Sequence, residues 1–470
     1  MAHASSYSAW RSAAAELDRL EGNDDWQHAG ASGFYDEALV RKHIEEFRGL
    51  RRGGSVGELV GTLEESLYRH LGDIGAAPLY QQTHTGETKH LVTEYLDEAC
   101  ATIEHLAETK YPQLTEAEKL RRMERAQRNF GGSCLMLSGG ATWGLYHVGV
   151  VRALHREGLL PRVVCGSSMG AVCAAAVCTR DDAQLASMLE DLRVVHTRPL
   201  QRMSLAELFR RGAVMDPAQL HRHIHANVGE HTFAEAFAIS GRALNISVSP
   251  TRARQKPRVL NHLTTPTVLV WSAAAASCAV PGLFPSASLL ARGQDGRVVP
   301  YARNERWVDG SMLGDLPKSR VSRLHNVNHF VVSQTNPHVV PFLSNKTQSG
   351  VVRLGMEVAG SLVRAQTRAV LDLARRRVHS DRLRPALDQA HALAGQEYEG
   401  DINIHPRFDA LMYRRVLTNV TTAQLELFAL GGAQATWPQM ARVRDTTRIS
   451  RTLDEMVGRL KRGAQASPRG

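Results

Sequence analysis

The residue of this chain best placed for chemistry is a serine between two glycines at the end of an apolar run. Val163-Val164-Cys165-Gly166-Ser167-Ser168-Met169-Gly170-Ala171 reads as a strand, a tight Gly-x-Ser-x-Gly turn and the start of a helix of small residues. A nucleophilic hydroxyl needs that layout. Gly166 and Gly170 let neighbouring backbone pass closely, and a helix N-terminus faces the negative charge that develops during attack. The same string occurs at Gly53-Gly54-Ser55-Val56-Gly57. There Phe47 to Arg52 are polar and basic rather than strand-like, so Ser55 reads as a turn and helix cap. Context selects Ser168.

Upstream, Leu135-Met136-Leu137-Ser138-Gly139-Gly140-Ala141-Thr142-Trp143-Gly144 is a second strand followed by a glycine-rich turn and a helix. Successive backbone N–H groups in such a turn suit either a nucleotide phosphate or the oxyanion of an acyl-transfer intermediate. No Gly-Lys-Ser/Thr ends the loop, and Gly139, Gly140 and Gly144 do not form Gly-x-Gly-x-x-Gly, so an oxyanion hole fits better beside Ser168. A third segment, Arg306-Trp307-Val308-Asp309-Gly310-Ser311, ends a short apolar run in Asp-Gly, which taken alone is a surface turn. A serine hydroxyl still needs a carboxylate or imidazole within reach to accept its proton.

These elements in this order resemble the patatin-like phospholipases. Ala276-Ser277-Cys278-Ala279-Val280-Pro281-Gly282-Leu283-Phe284-Pro285 is similar to a further stretch of that family, and from the residues alone it is a helix end broken by Pro281 and Gly282. Gly149-Val150-Val151-Arg152, Asn326-Val327-Asn328-His329-Phe330-Val331-Val332-Ser333-Gln334 and Ala435-Thr436-Trp437-Pro438 narrow the resemblance to intracellular triacylglycerol lipases of plant and fungal lipid droplets. Tyr7-Ser8-Ala9-Trp10 and Leu17-Asp18-Arg19-Leu20-Glu21-Gly22-Asn23 resemble the start of the helical N-terminal region of unknown function in that branch.

The resemblance implies a Ser–Asp dyad. Ser168 is then the nucleophile, Asp309 the general base, and the amides of Gly139, Gly140 and Ala141 the oxyanion donors. It implies an acylglycerol or phospholipid substrate, peripheral contact with a membrane or lipid-droplet surface, and no cofactor or metal. Ala141 stands where many relatives have a third glycine, Trp143 where they have a basic residue, and Ser311 where a second glycine follows Asp-Gly. The missing cation at Trp143 favours neutral glycerides over phospholipids.

Two other readings compete. A Ser-Asp-His triad has candidates in His325, His329, His338 and His405, which all follow Asp309. A non-catalytic lipid-surface protein is the other, and retention of both Ser168 and Asp309 argues against it. His221-Arg222-His223-Ile224-His225 has alternating spacing that scatters its side chains around a helix, so a solvated face is expected rather than a metal site.

The elements that must position these residues follow from periodicity. Apolar runs at Cys134–Leu137, Val163–Cys165, Leu244–Val248 and Phe330–Val332 alternate with helical patterns, which argues for an α/β domain with a mainly parallel sheet. The resemblance makes it the patatin-like three-layer type. The expected organisation is a helical accessory domain over residues 1–130, the catalytic α/β domain over 131–340, and a helical C-terminal region over 341–470, for which facing a membrane is one reading. Within the first, Val56, Leu59, Val60, Leu63, Leu67 and Leu71 repeat at helical spacing, with Ser55 as N-cap and Gly72 as the stop. Within the last, Arg353, Arg364, Arg368 and Arg375 to Arg377 mark basic helices with a solvated face.

Composition agrees with a globular protein: 43% of the 470 residues are hydrophobic and 22% charged. The formal charge of +10 attracts polyanions, but neither zinc-finger spacing nor an aromatic RNA-binding motif points to nucleic acid. The six cysteines lack Cys-x-x-Cys pairing and read as core residues. No secretory signal or membrane-spanning run is found, so an intracellular or peripheral-membrane location is expected.

Overall fold

The structure is a computed structural model. It describes the chain except residues 2, 31, 205, 208–212, 253–254, 312–314, 338, 340–397, 407–415 and 467–470. The basic helices expected from Arg353 to Arg377, and His338, lie outside the described residues.

The strands are β1 (Gly132–Leu137), β2 (Val163–Gly166), β3 (Ala243–Pro250), β4 (Arg258–Leu260), β5 (Leu290–Arg292), β6 (Val298–Pro300), β7 (Trp307–Asp309), β8 (Val327–Ser333) and β9 (Ile402–Ile404). All but β5 and β6, which form a separate hairpin, join one sheet in the order β4-β3-β2-β1-β8-β9, with β7 also on β3. Pairing is parallel from β3 through β9 and antiparallel only where β4 and β7 meet β3. The α/β class and the parallel sheet expected from the sequence are therefore present.

Near-continuous apolar strands are buried on both faces, as central parallel strands must be. Leu135, Leu137 and Val164 point into one helical layer, while Cys134, Met136 and Cys165 point into the other. The strand β9 comes from beyond residue 340, so the last part of the chain contributes to the sheet as well as to helices.

The N-terminal region contains α1 (Tyr7–Glu21), α2 (Asn23–His28), α3 (Glu37–Gly53), α4 (Val56–Glu65), α5 (His90–Glu108) and α6 (Glu116–Phe130). Ser55 begins α4 in a reciprocal capping box with Glu58, so the second Gly-x-Ser-x-Gly string is a helix cap. The helix does not run on to Gly72. It ends at Ser66, and the bend that follows carries Arg69 inward to donate to Gly131 O, Asn328 Oδ1 and Thr446 O. Tertiary bonds to a buried guanidinium override a helical pattern that continues in the sequence.

The α/β region adds α7 (Tyr146–Arg156), α8 (Met169–Cys178), α9 (Asp182–Glu190), α10 (Pro217–Val228), α11 (Phe233–Ser240), α12 (Val270–Ser277) and α13 (Lys318–His325). Two long helices, α14 (Thr422–Thr436) and α15 (Met440–Ala466), follow β9. Helix α14 crosses α7 at Gly149 and Gly432. A Cβ on Gly149 would lie 1.8 Å from Ala429 O, and one on Gly432 would lie 2.1 Å from Tyr146 O. Helix α15 starts in the main core at Met440 and Val443 and then joins the N-terminal core, where Ile449, Leu453, Met456 and Val457 are buried with Phe47, Tyr95 and Ile103. Among the described residues no helix is long and apolar enough to cross a membrane.

Candidate active site

The glycine turn, the elbow and the Asp-Gly segment meet at the C-terminal ends of β1, β2 and β3. Ser168 leaves β2 with φ 52° and ψ −125° and heads α8. A non-glycine residue adopts that conformation only where its surroundings enforce it. Both flanking glycines are required: a Cβ on Gly166 would lie 2.3 Å from Gly170 O, and one on Gly170 would lie 2.1 Å from Leu137 O. Chain crossing this tight is what a Gly-x-Ser-x-Gly elbow demands.

Asp309 closes β7, whose antiparallel pairing with β3 sets it opposite Val248. Gly310 has no room for a side chain, since a Cβ would lie 2.2 Å from Ser247 Oγ. The carboxyl is fully buried, with Oδ1 accepting the Ser311 N–H at 2.7 Å. Its Oδ2 has no hydrogen bond of ordinary geometry among the described residues. Burial pushes the Asp309 carboxyl up to about 6, while Ser311 and the neighbouring Ser168 hydroxyl pull it down.

The Ala276–Pro285 stretch is the strut between these two residues. Ser277 Oγ accepts the Ser168 N–H at 2.9 Å and donates to Ser247 O at 2.7 Å, while Ala279 O accepts the Asp309 N–H at 3.1 Å. Gly282 turns the chain at φ 81°, and Phe284 enters the main core. From the residues alone this segment was only a broken helix end; its hydrogen bonds run to partners distant in the sequence.

Gly139 lies against Ser168, since a Cβ there would be 3.4 Å from Ser168 Cβ. Of the amides expected to face an oxyanion, that of Gly139 already donates to Asp315 Oδ1 at 2.9 Å. The amides of Gly140 and Ala141 have no acceptor among the described residues. Ala141 holds φ 46°, a left-handed value that a third glycine would adopt without strain. Trp143 is buried with Leu192, Val420, Leu425 and Phe428, so its side chain belongs to a core cluster.

Two residues not singled out in the sequence complete the site. Asp315 is 1% exposed, and burial together with the nearby Asp309 pushes its carboxyl up to about 7, against its hydrogen bonds from Gly139 and Asn336. His147 lies behind the glycine turn, with Nε2 2.9 Å from Ser138 O and Nδ1 2.7 Å from Ser333 Oγ. Burial holds its imidazole down at about 4, so it is neutral near pH 7. The one sequence signal for Asp315 is its closeness to the Asp-Gly segment; His147 shows none.

The three described histidines among the triad candidates have other partners. His325 bonds Asn245, His329 bonds Ser133, and His405 bonds Pro406 O. In the His221 to His225 run, His221 and His225 pack edge-on against Trp271 while His223 faces His196. Among the described residues no cluster is arranged to hold a metal ion.

A pocket with mostly apolar walls opens beside Ser168. Met169 and Cys278, its neighbours, line one end, and Leu145, Val172, Leu189, Val195, Leu220 and Ile224 extend the wall between α7, α8, α9 and α10. A second cleft at the opposite ends of β1 and β2 is lined by Arg128, Arg162, Arg451 and Arg462 and lies away from Ser168.

Residues 1–128 match the model of a domain of unknown function (DUF3336), and residues 135–318 match the patatin-like phospholipase model. Triacylglycerol lipase ptl3 of Schizosaccharomyces pombe is 34% identical over 94% of this chain and 92% of its own length. Triacylglycerol lipase 4 of Saccharomyces cerevisiae is 32% identical over 98% of this chain, and triacylglycerol lipase SDP1L of Arabidopsis thaliana is 32% identical over 99%. The chain spans only 52% and 59% of those last two proteins.

Proposed function

The chain belongs to the patatin-like phospholipase family of carboxylic ester hydrolases, in the branch with this N-terminal domain of unknown function, and on that premise we propose that it hydrolyses acylglycerols through Ser168 and Asp309. The reading is carried by one observation: a serine held at positive φ stands beside a buried carboxylate whose Oδ2 has no conventional partner among the described residues, and the serine's neighbours Met169 and Cys278 line an apolar pocket. The Asp309 carboxylate takes the Ser168 proton as Oγ attacks the ester carbonyl. The Gly140 and Ala141 amides stabilise the oxyanion. The alcohol leaves with that proton, and water, deprotonated in turn by Asp309, releases the fatty acid.

The walls of the pocket suit an acyl chain. Burial of Trp143 leaves no cation at the position where relatives carry a basic residue, which favours neutral glycerides, reached by peripheral contact with a lipid surface. Named triacylglycerol lipases among the relatives support the same substrate class.

Purified protein is expected to hydrolyse p-nitrophenyl esters and triolein, and to react with a fluorophosphonate probe at Ser168. Ser168→Ala and Asp309→Asn should each lower turnover by at least about a thousandfold with the fold intact. Unchanged turnover in Ser168→Ala overturns the reading. Faster release of fatty acid from phosphatidylcholine vesicles than from triolein emulsion would move the substrate to phospholipid.

A further inference from the structure

Asp315 is as inaccessible as Asp309, yet the chemistry above makes no use of it. Its Oδ1 accepts the Gly139 N–H at 2.9 Å, Asn336 Nδ2 donates to Oδ2, and its own carbonyl accepts the Ser167 hydroxyl at 2.6 Å. One residue thus bonds the first amide of the glycine turn and the residue immediately before the nucleophile.

The turn has reason to need such a hold. Consecutive glycines lose more conformational freedom on folding than any other residues, and Ala141 after them sits at φ 46°. On the other side, Thr335 Oγ1 donates to Gly139 O at 3.1 Å. A Cβ on Gly140 would lie 2.4 Å from the same Thr335 Oγ1, so the turn is pressed against the segment that follows β8. The Asp315 bond is the opposing contact. With Gly139 engaged from both sides, the next two amides are left without acceptors beside Ser168.

We propose that Asp315 is a positioning residue whose carboxyl oxygen clamps the Gly139 amide and thereby aims the Gly140 and Ala141 amides at the acyl oxygen. The inference rests on the ester-hydrolase reading, and it removes Gly139 from the set of oxyanion donors. Asp315 touches no reacting atom; it acts through the turn.

The test compares Asp315→Ala, Asp315→Leu and Asp315→Asn in the full chain. Leucine keeps the branched shape, in a larger side chain, without an acceptor, and asparagine keeps an oxygen for Gly139 while the Asn336 amide can turn over to meet it. With p-nitrophenyl butyrate, Asp315→Ala is expected to lose about a hundredfold in kcat, the scale of a lost oxyanion donor, with KM within about threefold. Binding of an alkyl trifluoromethyl ketone, which forms a tetrahedral adduct with the serine, should weaken in proportion. Binding of an unreactive alkyl ether should hold. Asp315→Asn should recover kcat to within about fivefold of wild type.

The clamp is overturned if Asp315→Ala keeps kcat within about threefold, if ketone and ether weaken alike, or if Asp315→Asn is as slow as Asp315→Ala. Should the alanine variant melt below the assay temperature, Asp315→Leu decides by the same criteria. A wild-type protein with neither esterase activity nor labelling of Ser168 would instead remove the reading on which the clamp depends.

Discussion

A carboxyl group buried without a cation holds its proton more tightly than it would in water, and among the described residues Asp309 is such a group. Its folded value of about 6 lies above the value near 3.9 for an unfolded aspartate. The folded state therefore binds the proton more strongly, and stability falls as pH rises between those values and stays reduced above them. In the proposed mechanism activity has the opposite dependence, because only the carboxylate can accept the Ser168 proton. Turnover of a soluble ester should rise with pH to a plateau above about 6, and a profile flat down to pH 4.5 would contradict this role. Asp309→Asn keeps the oxygen that accepts the Ser311 amide. It should stabilise the protein at pH 7.5 by an amount on the order of 2 kcal/mol, a gain that vanishes near pH 4 in chemical denaturation.

At the scale of elements, the site depends on places where backbone passes backbone. The crossing of α7 and α14 is the most confined of these between helices: Gly149 and Gly432 allow carbonyl contact that any side chain would block. Helix α7 follows the glycine turn through a single 3-10 turn, Ala141–Leu145, so moving it moves the Gly140 and Ala141 amides proposed to hold the oxyanion. Gly149→Ala should destabilise by about 3 kcal/mol, the upper part of the usual range for overpacking, and lower kcat as well. A variant with unchanged denaturation midpoint would show that the helices separate freely. The Gly-Val-Val-Arg stretch that helped mark the family in the sequence thus has a packing reason.

Over the whole molecule, the two ends of the chain share structure. Trp10 of α1 packs on Trp437, with ring centroids 6.3 Å apart, so two segments that carried the family resemblance from opposite ends are in contact. The buried carboxylate of Asp18 accepts the amides of His84 and Thr85. Arg69 ties the N-terminal region to Gly131, β8 and α15 at once. Replacing it by methionine strands three acceptors, at about 1 kcal/mol or more each, and should lower stability by at least 3 kcal/mol in denaturant titration. Because α15 lies in the N-terminal core, residues 131–470 expressed alone should aggregate through its bare apolar face, and co-expression of residues 1–130 should restore solubility. A soluble, active fragment would show that the two cores are independent.

The sequence by itself determined what depends on local chain chemistry: the strands at Cys134, Val163, Leu244 and Phe330, the elbow at Ser168 and the cap at Ser55. Each is set by periodicity or by glycines whose neighbours are near in sequence. Asp309 was an ordinary Asp-Gly turn without the family resemblance, because the pairing of β7 with β3 joins residues about sixty apart. Tertiary structure alone decided that Ser277 and Ala279 brace the serine and the aspartate, that Asp315 holds the glycine turn, and that α15 completes the N-terminal core. Those roles belong to hydrogen bonds and apolar contacts between distant segments, and no spacing along the chain encodes such a contact.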